Sequence, residues 1–175
     1  MTSYAALLRG INVGGHKKVP MGELREIMNG LGWGDVRTYL QSGNAVFRTE
    51  DQDPGPTLER AIADHFGFEV PCLLRTSDEL RAVAAACPLP AAALDPAKLL
   101  VLFLDGEPAP GHFAGVDQQA CAPDEFHHVG RAVYCYFPHG MGRSQLVTVL
   151  GNVRPQLVMT GRNWRTVQRL IELTG

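Results

Sequence analysis

The sequence carries no sign of a membrane anchor or an export signal. Its longest apolar run, Leu99 to Leu104, falls far short of the ~20 residues that a bilayer-spanning helix requires. The N-terminal Met-Thr-Ser-Tyr has neither the basic segment nor the apolar core of a signal peptide. These absences lead us to expect a soluble, cytoplasmic protein with no membrane partner.

Charge of either sign is also scarce. Charged residues make up 19% of the chain, and 16 basic against 18 acidic side chains leave a net charge of −2. A dedicated nucleic-acid binder usually has a basic domain or stripe, because neutralising phosphates supplies much of its affinity. The balance therefore argues against nucleic acid as a partner, and such a role would need a local basic patch. The hydrophobic share of 45% is typical of a globular chain.

Motifs that hold metals or carry out covalent catalysis are absent. Cys72, Cys87, Cys121 and Cys135 form no CxxC pair, and neither HExxH nor GxSxG occurs. Cys72 and Cys135 lie in apolar runs, where a thiol behaves as a small hydrophobe. We therefore expect free thiols, no metal and no cofactor. Since no nucleophile–base pair can be named, catalytic residues stay unknown and the sequence leaves open whether the protein is an enzyme.

What the sequence does have is apolar periodicity punctuated by glycine and proline. In the first half, strand and helix periods alternate in the order β-α-β-β-α-β, which is the ferredoxin-like pattern. The predicted elements are a strand at 4–8, a helix at 21–31, strands at 36–40 and 45–48, a helix at 58–66 and a strand at 70–74. Residues 1–76 are thus predicted to form a first ferredoxin-like subdomain.

The same order nearly repeats after a connection predicted at residues 77–97, which holds a helix capped by Ser77 and a stretch rich in proline and alanine. The second set comprises a strand at 99–104, at most a short helix within 108–116, a hairpin at 125–129 and 132–137, a helix at 145–150, a strand at 156–159 and a terminal helix lined by Trp164, Val167, Leu170 and Ile171. We therefore predict an α+β protein of two tandem ferredoxin-like (βαββαβ) subdomains. The second, residues 98–175, has a degenerate first helix and an extra C-terminal helix.

Three segments together resemble a known family. They are LLRGINVGG at residues 7–15, YLQSGN at 39–44, and Arg-Asn-Trp at 162–164 with Thr166. This combination is similar to DUF1697, a family of bacterial proteins of unknown function, and the similarity extends over essentially the whole chain. The resemblance implies an α+β fold of two subdomains and supplies no activity.

The glycine-rich loop after the first strand is the first candidate for ligand binding. Its glycines let backbone N–H groups approach a ligand, and Arg9, Lys17 and Lys18 could neutralise an anion beside Asn12. The loop also leads towards a helix N-terminus, where anions are favoured. Its spacing matches neither the P-loop GxxxxGK[ST] nor GxGxxG. The alternative is a tight strand-to-helix connection that merely needs glycine.

A second candidate is the turn at residues 41–44. Gln41, Ser42 and Asn44 supply neutral donors and acceptors that could orient a polar ligand. However, glycine and asparagine are also what a hairpin turn requires for positive φ, so a turn explains Gly43 and Asn44 without a ligand.

Two further candidates lie in the second half. A helix beginning near Arg162 would present free N–H groups beside a guanidinium that can bind two oxygens at once, with Asn163 adjacent. The alternative is that Thr160 or Asn163 caps this helix, Trp164 packs in the core and Arg162 pairs with an acid. Arg143 likewise precedes a predicted helix in a glycine-rich segment, where a flexible turn is the alternative.

Three functional hypotheses follow. The first is binding of a small anionic ligand bearing phosphate or carboxylate in a cleft formed by glycine-rich loops and helix N-termini. The residues near this one cleft would be Arg9, Asn12, Lys17, Lys18 and Arg162. The second is binding of single-stranded RNA through a sheet face, because Tyr134 and Tyr136 project from the same side of one strand. The third is an interaction module without a ligand, which predicts an exposed apolar patch. The oligomeric state stays open.

Overall fold

The computed structural model describes all residues, Met1–Gly175, as two four-stranded antiparallel sheets and six helices. This architecture is α+β and is consistent with two tandem ferredoxin-like units. Residue contacts divide the chain into two compact units, Met1–Arg81 with Leu170–Gly175, and Ala82–Arg169. None of the helices combines the length and the hydropathy that are required to cross a bilayer.

The first unit has the β-α-β-β-α-β order that its periodicity predicts. Its elements are β1 (Thr2–Leu8), α1 (Met21–Gly30), β2 (Gly34–Tyr39), β3 (Asn44–Thr49), α2 (Pro54–Phe66) and β4 (Cys72–Thr76). The strands pair in the order β2-β3-β1-β4, and every neighbouring pair is antiparallel. Because β1 lies between β3 and β4, both helical connections cross the same sheet.

The core of the first unit follows from two interlocking periodicities. Alternate residues of β1 and β3, among them Leu8 and Phe47, share a hydrophobic cluster with Leu24 of α1 and with Leu58 and Ile62 of α2. Each of these side chains is at most 1% exposed. Burying an apolar side chain of this size contributes about 1.5–3 kcal/mol, so a few such residues fix both helices on the sheet.

The connecting helix α3 (Ser77–Ala85) is present, but its predicted cap is wrong. Thr76 rather than Ser77 caps it: Thr76 Oγ1 accepts from the Glu79 N–H at 3.1 Å, and Glu79 Oε2 accepts from the Thr76 N–H at 2.8 Å. This reciprocal arrangement is a capping box, which satisfies two backbone donors instead of one. Thr76 is favoured because Glu79 stands three residues after it.

The second unit repeats the sheet but not every helix. Its elements are β5 (Leu99–Leu104), α4 (Gln118–Cys121), β6 (Glu125–Val129), β7 (Ala132–Tyr136), α5 (Leu146–Gly151) and β8 (Met159–Asn163), after which the chain enters α6 (Trp164–Thr174). The strand order is β6-β7-β5-β8, again antiparallel throughout. The degenerate first helix is one short segment, which lies at 118–121 and not within 108–116 as predicted.

The last strand also lies elsewhere than predicted. A strand was expected at residues 156–159, whereas β8 starts at Met159 and pairs with β5 from Met159↔Leu104 to Asn163↔Leu100. Pairing with the apolar central strand decides the position, because the polar segment 160–163 has little strand periodicity of its own. The terminal helix consequently begins at Trp164, two residues later than the start near Arg162 that the sequence predicts.

The edge strand β6 is covered at one point by a side chain. Gln118 of α4 donates from Nε2 to the Phe126 carbonyl at 2.5 Å, and its Oε1 accepts from the Phe126 N–H at 3.5 Å. One amide side chain thus occupies both backbone groups that Phe126 would offer to a neighbouring strand.

Gly43, in the turn between β2 and β3, is predicted to tolerate no side chain. Its φ is +96°, and a Cβ there would lie 2.6 Å from Ile11 Cδ1 and 2.9 Å from Leu8 Cβ. We expect Gly43→Ala to lower the free energy of unfolding by about 2–4 kcal/mol, from left-handed backbone strain plus overpacking. Urea unfolding of the wild type and of Gly43→Ala measures this loss of stability. Gly67→Ala is the control, since Gly67 has φ +80° and nothing within 4 Å; equal losses in both variants would show that the steric argument is wrong.

Candidate functional site

The glycine-rich loop between β1 and α1 folds as a small hairpin. Val13 and His16 form an isolated antiparallel bridge, and the His16 N–H donates to the Val13 carbonyl at 3.0 Å. Gly14 and Gly15 occupy the turn with φ of +59° and +76°, the signs that a type I′ turn requires. The conformation of this turn therefore accounts for both glycines without a ligand.

Asn12 anchors this hairpin through its side-chain amide. Its Nδ2 donates to the Val19 carbonyl at 3.1 Å and to the Gln41 carbonyl at 2.7 Å, and its Oδ1 accepts from the Val19 N–H at 2.9 Å. Both amide hydrogens are thereby used. Asn12 thus joins the loop at 10–19 to the turn between β2 and β3, and its role in any site is to hold these segments.

The β2–β3 turn is closed by two of its own polar residues. Asn44 is fully buried, and its Nδ2 donates to the Tyr39 carbonyl at 2.7 Å and to Ser42 Oγ at 3.2 Å. The turn alternative is therefore supported for Ser42 and Asn44. Gln41 differs, because its side chain is exposed while only its carbonyl is held by Asn12.

A cleft of about 820 Å³ opens between this loop, the turn and the start of α1. Three of the sequence candidates line it, namely Asn12, Lys18 and Gln41. The remaining lining residues are Gly15, Pro20, Met21, Gly22 and Arg25. The lining includes two cations and no carboxylate, so the electrostatics of the cleft favour a negatively charged ligand.

The basic residues near the cleft differ in how they are occupied. Lys17 donates from Nζ to the Glu69 carbonyl at 2.6 Å, so its ammonium group is held by backbone. Arg9 is exposed at the end of β1, where its N–H donates to the Pro71 carbonyl at 3.0 Å. Lys18 is exposed and Arg25 donates to Thr38 Oγ1 at 2.5 Å. Elsewhere in the structure, Arg48, His65, Arg81 and His127 form ion pairs with carboxylates.

Arg25 and Gly22 are lining residues that the sequence reasoning missed. Both belong to α1, and residues three apart lie on the same side of a helix. The first turn of α1 follows directly on the basic loop, but Lys18 precedes the helix, which begins at Met21, so helical periodicity alone does not place Arg25 beside Lys18.

Arg162 lies inside β8 and is 6% exposed, so the expectation that it opens a helix is wrong. Its Nη1 donates to Thr160 Oγ1 and to the Gly161 carbonyl, each at 2.8 Å, and burial lowers its pKa to about 10. Asn163 accepts from the Thr166 N–H at 2.9 Å and thereby caps α6, as the alternative proposed. Trp164 is 7% exposed, as expected of a core residue.

The first unit contains the same arrangement of a buried arginine followed by a cap. Arg75 is 3% exposed in β4, donates from Nη1 to the Leu74 carbonyl at 2.9 Å, and immediately precedes the cap Thr76. Arg75 pairs with Ala5 of the central strand β1, as Arg162 pairs with Val101 of β5. Recurrence at the corresponding place in each sheet indicates a structural role that both arginines share.

Arg143 is exposed beside a cavity of about 330 Å³ in the second unit. Asp117 and Asp124 line the same cavity, and their carboxylates oppose the binding of an anion. The helix that follows, α5, begins at Leu146, whose N–H donates to Ser144 Oγ at 3.1 Å. Arg143 is thus placed among acids rather than in an anion cradle.

Tyr134 is not positioned to stack on a nucleic-acid base. It is 1% exposed, its hydroxyl donates to the Val83 carbonyl at 2.5 Å, and burial raises its pKa to about 12. Tyr136 is half-buried. Among the exposed large apolar side chains, Val13 and Leu40 are the most exposed after Met1, and Val147 and Val149 both belong to α5.

Comparisons with known proteins give a family and a fold. A family model for proteins of unknown function, DUF1697, matches residues 1–134. Among solved structures, a conserved bacterial protein from Streptococcus pneumoniae is 26% identical, with a TM-score of 0.79 over 99% of each chain. No curated protein matches the sequence. The resemblance to DUF1697 is therefore confirmed over residues 1–134, which include the motifs at 7–15 and 39–44, whereas the motif at 162–166 lies outside the matched residues.

If Arg162 is structural, its removal should unfold the protein more readily. We expect Arg162→Ala to lower the free energy of unfolding by about 2–4 kcal/mol, because a cavity and unpaired buried acceptors remain. Arg143→Ala, at an exposed site, should change it by less than about 0.5 kcal/mol. Urea unfolding of the two variants checks this. An Arg162→Ala protein as stable as the wild type would contradict the structural role.

Cys135 should make the protein less stable at alkaline pH. Burial, with smaller contributions from Asp124 and Cys121, raises its pKa from 9.0 to about 12. The folded thiol therefore keeps its proton between those values while the unfolded thiol releases it, so stability that is complete below pH 9 is lost as pH rises. Between pH 8 and pH 10 the stability difference between wild type and Cys135→Ala should narrow by about 1.4 kcal/mol.

Urea unfolding at the two pH values measures this narrowing. Cys87→Ala, which removes a half-buried thiol, is the control and should give a smaller change. A difference between wild type and Cys135→Ala that stays constant with pH would show that the thiol is not linked to folding.

Proposed function

The chain belongs to the DUF1697 family, and since that family's function is unknown, we propose from the geometry that the protein binds a small molecule bearing phosphate or carboxylate. The site is the cleft between the 10–19 loop, the β2–β3 turn and α1. Its contacts are Lys18, Arg25 and the side chain of Gln41, while Asn12 holds the surrounding segments. Arg143, Arg162 and Asn163 take no part in this proposal.

One observation carries the proposal: Lys18 and Arg25 line a single concave site that contains no carboxylate. Two cations that line one site raise the local positive potential and attract a counter-ion. A bound anion would neutralise this charge, and Gln41 offers both a donor and an acceptor for a neutral polar group of the ligand.

The start of α1 adds fixed partial positive charge to the same place. Pro20 is the N-cap and forms no side-chain cap, so no protein side chain satisfies the first-turn N–H groups. Glu23, the acidic residue of this turn, does not line the cleft, and its Oε1 lies 3.5 Å from Nε2 of His65. Orphan N–H groups and the helix dipole both favour an anion at such an end.

Backbone strain near the cleft supports a functional role for these loops. Non-glycine residues with positive φ are Asn12, Lys17, Asp35 and Leu40, and all but Asp35 lie in the loop and turn that border the cleft. Leu40 at φ +61° is unusual, because a bulky residue in this region costs about 1–3 kcal/mol. Leu40 is also 53% exposed, so packing of its own side chain does not offset the strain.

The size and walls of the cleft suit a small organic molecule. Its volume of about 820 Å³ lies within the ~300–1,000 Å³ range of small-molecule sites. Pro20 and Met21 supply an apolar wall on which the body of a ligand can pack. The lining contains no serine, cysteine, histidine or carboxylate, so the proposal is one of binding.

The proposal predicts that matched anions, but not their neutral analogue, stabilise the protein. Phenyl phosphate and benzoate each join an aromatic body to an anionic group, and benzamide is the uncharged counterpart. At a hundredfold excess over Kd, either anion that binds should raise the free energy of unfolding by about 2.7 kcal/mol, measured as a thermal shift. Lys18→Ala should weaken that binding about tenfold, the loss expected for one charge-assisted contact.

Arg60→Ala is the matched control, because Arg60 is an exposed cation on α2 in the same unit and does not line the cleft. It removes the same net charge and should leave binding unchanged. The proposal fails if neither anion shifts the melting temperature, or if Lys18→Ala and Arg60→Ala weaken binding equally.

A further inference from the structure

The guanidinium of Arg25 is oriented by a neutral group. Its Nη1 donates to the hydroxyl oxygen of Thr38 on β2 at 2.5 Å, and no carboxylate forms an ion pair with it. A carboxylate partner would have fixed the side chain and cancelled its charge. A threonine hydroxyl holds one nitrogen of the guanidinium and leaves the positive charge intact.

The other side of the guanidinium lies by the first turn of α1. A Cβ built on Gly22 would lie 3.7 Å from Arg25 Nη2, and both residues line the cleft. Gly22 does not have positive φ, and a Cβ would fit there at ordinary contact distance. Glycine inside a helix costs about 0.5–1 kcal/mol relative to alanine. Gly22 leaves Nη2 of Arg25 uncovered, whereas a longer side chain at position 22 would block access to that nitrogen.

A guanidinium presented in this way suits a particular kind of anion. Its planar N–H fork matches two oxygens of a carboxylate or a phosphate, whereas an ammonium group acts as a point charge. Resting on the proposed function, we propose that Arg25 binds two coplanar oxygens of the ligand and that Thr38 is the residue that positions the Arg25 guanidinium. The ligand class is thus an oxyanion held bidentately, with Lys18 adding a second charge.

The hydrogen bond between Arg25 and Thr38 is suited to orientation more than to stability. Arg25 is exposed and Thr38 is half-buried, and an exposed hydrogen bond contributes little to folding because water replaces either partner. Removing the Thr38 hydroxyl should therefore leave the fold intact and release the guanidinium. This separates a positioning role from a structural one.

Isothermal titration with phenyl phosphate and with benzoate tests the assignment on the full chain. Arg25→Lys keeps the charge and loses the fork, so we expect binding to weaken at least about tenfold. Thr38→Val should weaken it about three- to tenfold, and Thr38→Ser should restore it because serine keeps the hydroxyl. Arg60→Lys is the matched control and should bind as the wild type does. The two probes distinguish a phosphate from a carboxylate ligand.

Gly22→Leu provides a readout that a structural role would not give. Leucine is a better helix former than glycine and the position is exposed, so the melting temperature should stay the same or rise. Binding should nevertheless fall at least about tenfold, because the side chain covers Nη2. Stability and affinity moving in opposite directions would support close approach of the ligand at this position.

The outcomes separate this assignment from the proposed function. If the wild type binds neither anion, both are overturned. If the wild type binds and Lys18→Ala weakens binding, while Arg25→Lys and Thr38→Val bind unchanged, the cleft is an anion site and the bidentate reading is wrong. Loss in Thr38→Val that Thr38→Ser does not restore would overturn the positioning role of the hydroxyl.

Discussion

The cleft depends on three hydrogen bonds made by one amide. Asn12 ties the backbone of the 10–19 loop at Val19 to the backbone of the β2–β3 turn at Gln41. Without that tie the two-glycine hairpin would lose its side-chain link to the β2–β3 turn. With the tie, Lys18 and Gln41 face α1 from two separate segments of the chain. The Asn12 side chain is therefore unavailable to a ligand, yet its hydrogen bonds hold together the segments that form the cleft.

The two units have the same local arrangement where the last strand of each sheet meets the following helix. A buried arginine on β4 or β8 donates back to the carbonyl that precedes it, and the next residue caps the helix that follows. Position and chemistry recur although the neighbouring sequence differs, with Thr76 in one unit and Asn163 in the other. Polar residues at such a junction satisfy the backbone where a strand passes directly into a helix. Arg162 and Asn163 are accounted for by this need.

Periodicity was sufficient to predict the helices and strands, but it failed where contacts with distant parts of the chain decide the position of an element. Leu99–Leu104 is evident in the sequence because a strand buried on both faces is apolar throughout, and α1 is evident because the face that packs on the sheet is apolar. The position of β8 depends on pairing with β5, which the polar segment 160–163 does not reveal. Of the site, Asn12, Lys18 and Gln41 were identified from loop composition. Arg25 was missed because a lone arginine on a helix resembles any solvated residue until β2 supplies Thr38.

A single glutamine also changes how this molecule can associate with copies of itself. Open strand edges invite intermolecular pairing, which leads to swapped dimers and fibrils at high concentration. At Phe126 the amide of Gln118 already occupies the donor and the acceptor that an incoming strand would need. The Gln118 side chain makes the two hydrogen bonds that a residue of a neighbouring strand would make at this point of β6. An incoming strand would have to displace Gln118 before it could pair with β6 at Phe126.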